Sequence, residues 1–165
     1  RQRQMCIRDR DIPAEEFDMT FDVLVKGVFL GMKHAVPVMR AQGGGSIINT
    51  GSIAGVAAGR GPLVYSAAKA AVIHMTKTAA MPYGEDFIRV NCICPGYIPT
   101  PLSTNTVGRS EELMAERAGA YGERQPIPRP GQPEDIAEMA LFLASDRSSF
   151  VNGQAIVVDL SLIHI

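Results

Sequence analysis

The chain has 165 residues, 46% of them apolar and 20% charged, which is the balance of one soluble globular domain. Sixteen basic side chains against seventeen acidic ones leave a net charge of −1, which argues against a nucleic-acid binder held by basic excess. No uncharged apolar run approaches the ~20 residues a membrane span needs, and three cysteines form no disulfide framework and point to a reducing, cytoplasmic setting.

The two ends differ from what lies between. Residues 1–10 (RQRQMCIRDR) carry four arginines without apolar periodicity. No apolar core follows them, so they are not a signal peptide. Residues 160–165 are equally unlike the body. Both ends are expected to be non-native tails, flanking a body of residues 11–159.

Within the body, residues 13–42 read as a helix. Pro13 suits the first turn, and Glu15 and Glu16 suit the positive end of the helix dipole. Phe17, Phe21, Leu24, Val25, Val28, Phe29 and Met32 recur at three and four residues and form one buried face. Gly43, Gly44 and Gly45 stop it. Residues 46–50 read as a buried strand and 51–61 as a loop of small residues. Pro62 opens a second helix, expected to run to residue 80, where Pro82 ends it. Residues 88–93 are a strand closed by Pro95 and Gly96, and 97–109 a loop rich in Pro and Thr. Residues 111–121 form a polar helix, 124–133 a connection punctuated by prolines, 133–145 a third strong helix and 154–159 a last strand. Helix and strand alternate, which predicts an α/β layer fold on a parallel sheet.

The chemistry concentrates in Tyr65-Ser66-Ala67-Ala68-Lys69. Residues four apart on a helix share a face, with β-carbons ~5–6 Å apart. A cation about 5 Å from a phenol favours the phenolate by roughly 3 kcal/mol at an effective dielectric near 20. That tunes a tyrosine toward general acid–base work, and the helix dipole acts in the same sense. Y-x-x-x-K alone is common on amphipathic helices. Ser52 adds to it, a hydroxyl placed directly after a strand in a loop of small residues, able to donate to a carbonyl oxygen.

These residues do not stand alone. Ile47-Ile48-Asn49, Ser52, Tyr65 and Lys69 are followed in order by Arg89-Val90-Asn91, Pro95-Gly96-Tyr97-Ile98-Pro99-Thr100 and Gly131-Gln132-Pro133-Glu134-Asp135-Ile136-Ala137. Phe142 to Asp146 and Asn152-Gly153-Gln154 to Asp159 complete the series. Over residues 12–159 the chain resembles the short-chain dehydrogenase/reductase family. The resemblance implies a Rossmann-like, doubly wound parallel sheet, NAD or NADP as cofactor, and a small-molecule alcohol or carbonyl substrate. It implies Tyr65 as the acid/base, Ser52 as the group that polarises the substrate oxygen, and Lys69 as the residue that tunes Tyr65 and binds the nicotinamide ribose. Pro95, Gly96, Ile98 and Thr100 would meet the nicotinamide end of the cofactor. The family packs its two long helices against a symmetry mate, so a homodimer or homotetramer is expected, without nucleic acid, membrane or metal.

Several features depart from the family. Its phosphate-binding glycine loop is not among these residues, and the chain reads as the C-terminal two-thirds of an enzyme. The isolated chain is therefore expected to be inactive, with the strand at 47–50 left as an open apolar edge. Thr50-Gly51-Ser52-Ile53-Ala54-Gly55-Val56-Ala57 nearly spells a glycine loop, but no helix starts directly after it. Leu24 stands where the family has the Asn of N-x-x-G, which orients a relay water. Leu can neither donate nor accept a hydrogen bond. Pro82 replaces a common acid, and Phe87 a common Gly. Cys92 and Cys94 share a strand face and read as core rather than metal ligands. His34 and His74 take ordinary helical positions. Met32, Met39, Met75, Met81, Met114 and Met139 read as core or interface filler.

The substrate is not legible. In residues 102–129, Glu111, Glu112, Glu116 and Glu123 are balanced by Arg109, Arg117, Arg124 and Arg129. Two rival readings use the same fold: a non-catalytic nucleotide sensor or scaffold, which Leu24 favours, and an epimerase or lyase that still uses Tyr65.

Overall fold

The apolar period at the start of the body yields two helices and a wider turn between them, α1 (Ala14–Phe21), a π-helical turn (Asp22–Lys26) and α2 (Gly27–Ala41). In that turn Gly27 N–H reaches back five residues to Asp22 O, where an α-helix reaches four. The single helix expected over 13–42 is therefore interrupted at Leu24. The computed structural model describes residues 11–101, 103, 110–123 and 125–164, so the tail at 1–10 lies outside the described residues.

Three parallel strands follow, β1 (Gly45–Thr50), β2 (Ile88–Pro95) and β3 (Ala155–Val158), in the order β1-β2-β3. The register sets Thr50 opposite Ile93 and Pro95 opposite Val158. β2 therefore runs two residues beyond its predicted end. It is the central strand, and Ile88, Val90, Cys92 and Cys94 on it are fully buried, as parallel strands covered on both faces require. Among the described strands, β1 has one free edge.

Between β1 and β2 runs α3 (Leu63–Gly84), which continues through Pro82 instead of stopping before it. One proline removes one N–H donor. Packing holds the turn regardless: Ala80 is buried, and Asn152 Nδ2 donates to Ala80 O at 3.0 Å while its Oδ1 accepts from Val90 N–H at 2.8 Å.

One face of the sheet carries α2 and α3, with Met32, Val36, Ile47, Ala80, Ile88 and Val90 in one cluster and Val72, Ile73, Cys92 and Cys94 in a second. The other face carries α5 (Pro133–Ala144), which follows α4 (Glu111–Gly122). There Leu143 is buried, and its carbonyl accepts from Ser46 Oγ at 2.7 Å and Arg89 Nη1 at 2.9 Å. Helices on both faces of a parallel sheet make the α/β layers that the element order predicted, in the doubly wound arrangement that the family resemblance implied. Met32 lies in the core as expected, whereas Met81 is 80% exposed. His34 and His74 stand exposed on α2 and α3. No described helix is long and apolar enough to cross a membrane.

Candidate active site at the C-terminal edge of the sheet

β1 ends at Thr50 and β2 at Pro95, side by side, and the segment that follows β1 packs on the first turns of α3. In open α/β sheets this edge is where ligands bind. Tyr65 and Lys69 are both half-buried there. Lys69 Nζ lies 5.8 Å from the centre of the Tyr65 ring and donates to Thr50 O at 2.9 Å. The helical spacing thus brings phenol and amine to one face, and the amine also ties α3 to the end of β1. Burial lowers the pKa of Lys69 below the ordinary lysine value, with Cys92 and Cys94 opposing the shift.

Ser52 caps the short 3-10 turn Ile53–Gly55, accepting from Ala54 N–H at 3.1 Å. That turn sits directly on α3. A β-carbon added at Gly55 would stand 2.6 Å from Lys69 C and Ala70 N, and one at Gly61 would stand 3.3 Å from Tyr65 Cδ1. On its inner side, a β-carbon at Gly51 would stand 2.8 Å from Cys92 Sγ and 2.9 Å from Cys94 Sγ. These glycines permit close approach of backbone to helix and backbone to sulfur. The near-match to a phosphate loop at 50–57 is therefore a packing device, and the segment that resembled one carries Ser52. Both thiols are free and buried, and the hydrogen bond with Cys92, together with burial, pushes the Cys94 thiol well above its usual range.

After β2 the chain turns through Pro95–Thr100. Gly96 N–H donates to Val158 O at 3.0 Å, and a β-carbon at Gly96 would stand 2.5 Å from Asp159 Cβ. Thr100 N–H donates to Ser103 Oγ at 2.8 Å, and Ser103 Oγ donates to Ile98 O. Ile98 packs over Gly131, where an added β-carbon would meet Ile98 Cδ1 at 2.6 Å. Behind it, Arg129 grips Asp135 with two nitrogens at 2.7 and 2.8 Å, and Gln132 N–H donates to the same carboxylate at 2.8 Å. The Arg129 hydrogen bond and the Gln132 N–H hold the Asp135 carboxyl down to about 2. Of the predicted substrate-side segment, residues 102, 104–109 and 124 lie outside the described residues.

Leu24 sits in the π-helical turn. With Ile12, Met19, Val23, Val64 and Tyr65 it lines much of an apolar hollow of about 380 Å³. Asn49 and Thr76 form a hydrogen-bonded pair beneath the site. The sequence reading missed both the π-helical turn and this pair; each partner is an ordinary polar residue in an otherwise apolar stretch.

A half-buried cation, a phenol one helical turn away and a hydroxyl-bearing turn packed on the same helix meet at this edge of the sheet. Residues 5–160 match the family profile described as enoyl-(acyl carrier protein) reductase, and the chain belongs to that family of short-chain dehydrogenases/reductases. It is 40% identical over 149 residues to a 3-oxoacyl-(acyl-carrier-protein) reductase, FabG, of Thermotoga maritima, covering 90% of this chain and 58% of the relative. It is 42% identical over 149 residues to a cyclohexanol dehydrogenase of an Acinetobacter species, covering 90% and 55%. The crystal structure of a gluconate 5-dehydrogenase from Burkholderia cenocepacia, in complex with NADP and tartrate, superposes with a TM-score of 0.81 at 31% identity, covering 93% of this chain and 58% of that one. The chain spans little more than half the length of the curated relatives it matches.

Proposed function

We propose that the chain is the C-terminal part of an NAD(P)-dependent oxidoreductase that interconverts an alcohol and a ketone or aldehyde. The observation that carries this reading is the meeting of Tyr65, Lys69 and the Ser52 turn at the C-terminal edge of a parallel sheet, with Lys69 Nζ 5.8 Å from the phenol ring centre. The residues present suit the nicotinamide half of the cofactor: the Lys69 ammonium is half-buried at this edge, and the backbone after β2 passes close to Asp159 because Gly96 has no side chain. Tyr65, Lys69, Pro95, Gly96, Ile98 and Thr100 would hold it. A nicotinamide held there would supply the hydride acceptor for an alcohol carbon, or the hydride donor for a carbonyl carbon.

The chain's own groups handle the proton. In the oxidation direction the Tyr65 oxygen takes the hydroxyl proton of the substrate, and in reduction it returns one. The Ser52 hydroxyl donates to the same substrate oxygen and holds it in place. The charge of Lys69 acts on the phenol through a medium that burial has made less screening than water. The Asn relay of the family has no counterpart at Leu24, which favours one second reading, a slow or non-catalytic nucleotide-binding protein on this fold.

The same proposal covers the setting. Exposed apolar side chains on the long helices, among them Phe29, Leu30 and Leu63, suit a homodimer or homotetramer. Two buried free thiols suit the cytoplasm. The deciding experiment is oxidation of a panel of secondary alcohols by the full-length parent with NAD and NADP, with Tyr65→Phe as control. Turnover lost in the control supports the reading; no cofactor reduction with any alcohol, or activity that survives Tyr65→Phe, rules it out.

A further inference from the structure

Behind the proposed site lies a polar contact where an apolar one would be expected. Asn49 on β1 is 7% exposed and Thr76 on α3 is fully buried. Asn49 Nδ2 donates to Thr76 Oγ1 at 2.9 Å and lies 3.5 Å from Met32 Sδ, and Thr76 Oγ1 donates to Val72 O at 2.9 Å. Their neighbours in the layer include Ile47, Val72, Ile73 and Ala80. Burying an amide and a hydroxyl there gives up the gain of apolar packing, and each would be costly if left unpaired. The pair does supply direction. Apolar packing lets a helix slide or roll on a sheet by fractions of an ångström with little change in buried area, whereas a hydrogen bond fixes distance and angle.

Asn49 is three residues before Ser52, and Thr76 is two helical turns after Lys69. Gly51 is seated on the sulfurs of Cys92 and Cys94, which packs the end of β1 closely against β2. We propose that Asn49 and Thr76 are positioning residues of the site, their buried hydrogen bond setting α3 on β1 so that Tyr65 and Lys69 meet the Ser52 turn in register. This rests on the reading that Ser52, Tyr65 and Lys69 carry the reaction.

The test uses the full-length parent with an alcohol it oxidises. Thr76→Val lowers kcat about tenfold with KM for the cofactor unchanged, and Thr76→Ser, which keeps the hydroxyl, stays within about twofold of wild type. Asn49→Leu combined with Thr76→Val strands no polar group, so its melting temperature recovers while its kcat stays low. Should Thr76→Val alone fail to fold, the double variant decides. Recovery of kcat together with melting temperature in the double variant, or an unchanged kcat in Thr76→Val, overturns the assignment and leaves the pair merely structural. A parent without Tyr65-dependent turnover is a different outcome: it removes the proposed function, and this inference with it.

Discussion

Phe87 closes the turn between α3 and β2 in a backbone conformation with φ 57°. Its N–H donates to Gly84 O at 3.0 Å and its carbonyl accepts from Gly45 N–H at 3.2 Å, so the turn is held by its backbone. The ring is 81% exposed and contributes little packing. A side chain in this left-handed region costs about 1–2 kcal/mol that glycine avoids, while glycine gives back about 0.4–1 kcal/mol through the greater freedom of its unfolded state. Phe87→Gly and Phe87→Ala lose the same ring, so comparing them isolates the backbone effect. Glycine should win by about 1 kcal/mol, which in a domain of this size is about 2–4 °C in melting temperature. Thermal unfolding of the two variants by circular dichroism measures the difference. Away from positive φ alanine is the more stable residue, so a Phe87→Ala variant melting at or above Phe87→Gly would refute the strain argument.

Four further outcomes are expected. Gly55→Ala puts a β-carbon 2.6 Å from backbone atoms of Lys69 and Ala70, and should destabilise the fold by about 1–3 kcal/mol and cut the parent's turnover at least roughly tenfold; wild-type turnover in this variant refutes the packing argument. The folded-state value of Asp135, about 2, lies below its unfolded value of 3.8, so the stability it contributes is present above that unfolded value and is lost as pH falls through about 2. Asp135→Asn should therefore lower the melting temperature at neutral pH and flatten its fall toward pH 2, and an unchanged acid limb refutes the assignment. Leu24→Asn should raise kcat in the parent by restoring a hydrogen-bonding group, and an unchanged rate disposes of the relay argument. The isolated 165-residue chain should oxidise no alcohol; tight nicotinamide-cofactor binding by it, measured by calorimetry, contradicts that expectation.

What could be read from the sequence was what local spacing encodes. Tyr65 and Lys69 are four apart on a strong helix, so their shared face follows from helical geometry alone. Ser52 stood out because it closely follows an apolar strand, and the alternation of strands with helices was enough for an α/β fold on a parallel sheet, while the doubly wound form came with the family resemblance. The π-helical turn escaped because one extra residue in a turn barely disturbs an apolar period over the ten residues around it. Asn49 and Thr76 escaped because their meaning is a contact across 27 positions.

Two residues show how tertiary contacts outweigh local rules. Pro82 marks a helix end by its own chemistry, yet α3 runs on to Gly84 because Ala80 is buried and Asn152 reaches across from the segment before β3 to take its carbonyl. Gly51 and Gly55 looked like freedom for a loop of small residues, and they are the opposite, positions where sulfur and helix backbone come so close that no side chain fits. The Ser52 turn is therefore clamped between β2 and α3. A clamped turn can hold a hydroxyl against a substrate oxygen only if the helix beside it is equally fixed, and the Lys69 bond to Thr50 O and the Asn49–Thr76 bond are two directional contacts that join that helix to β1.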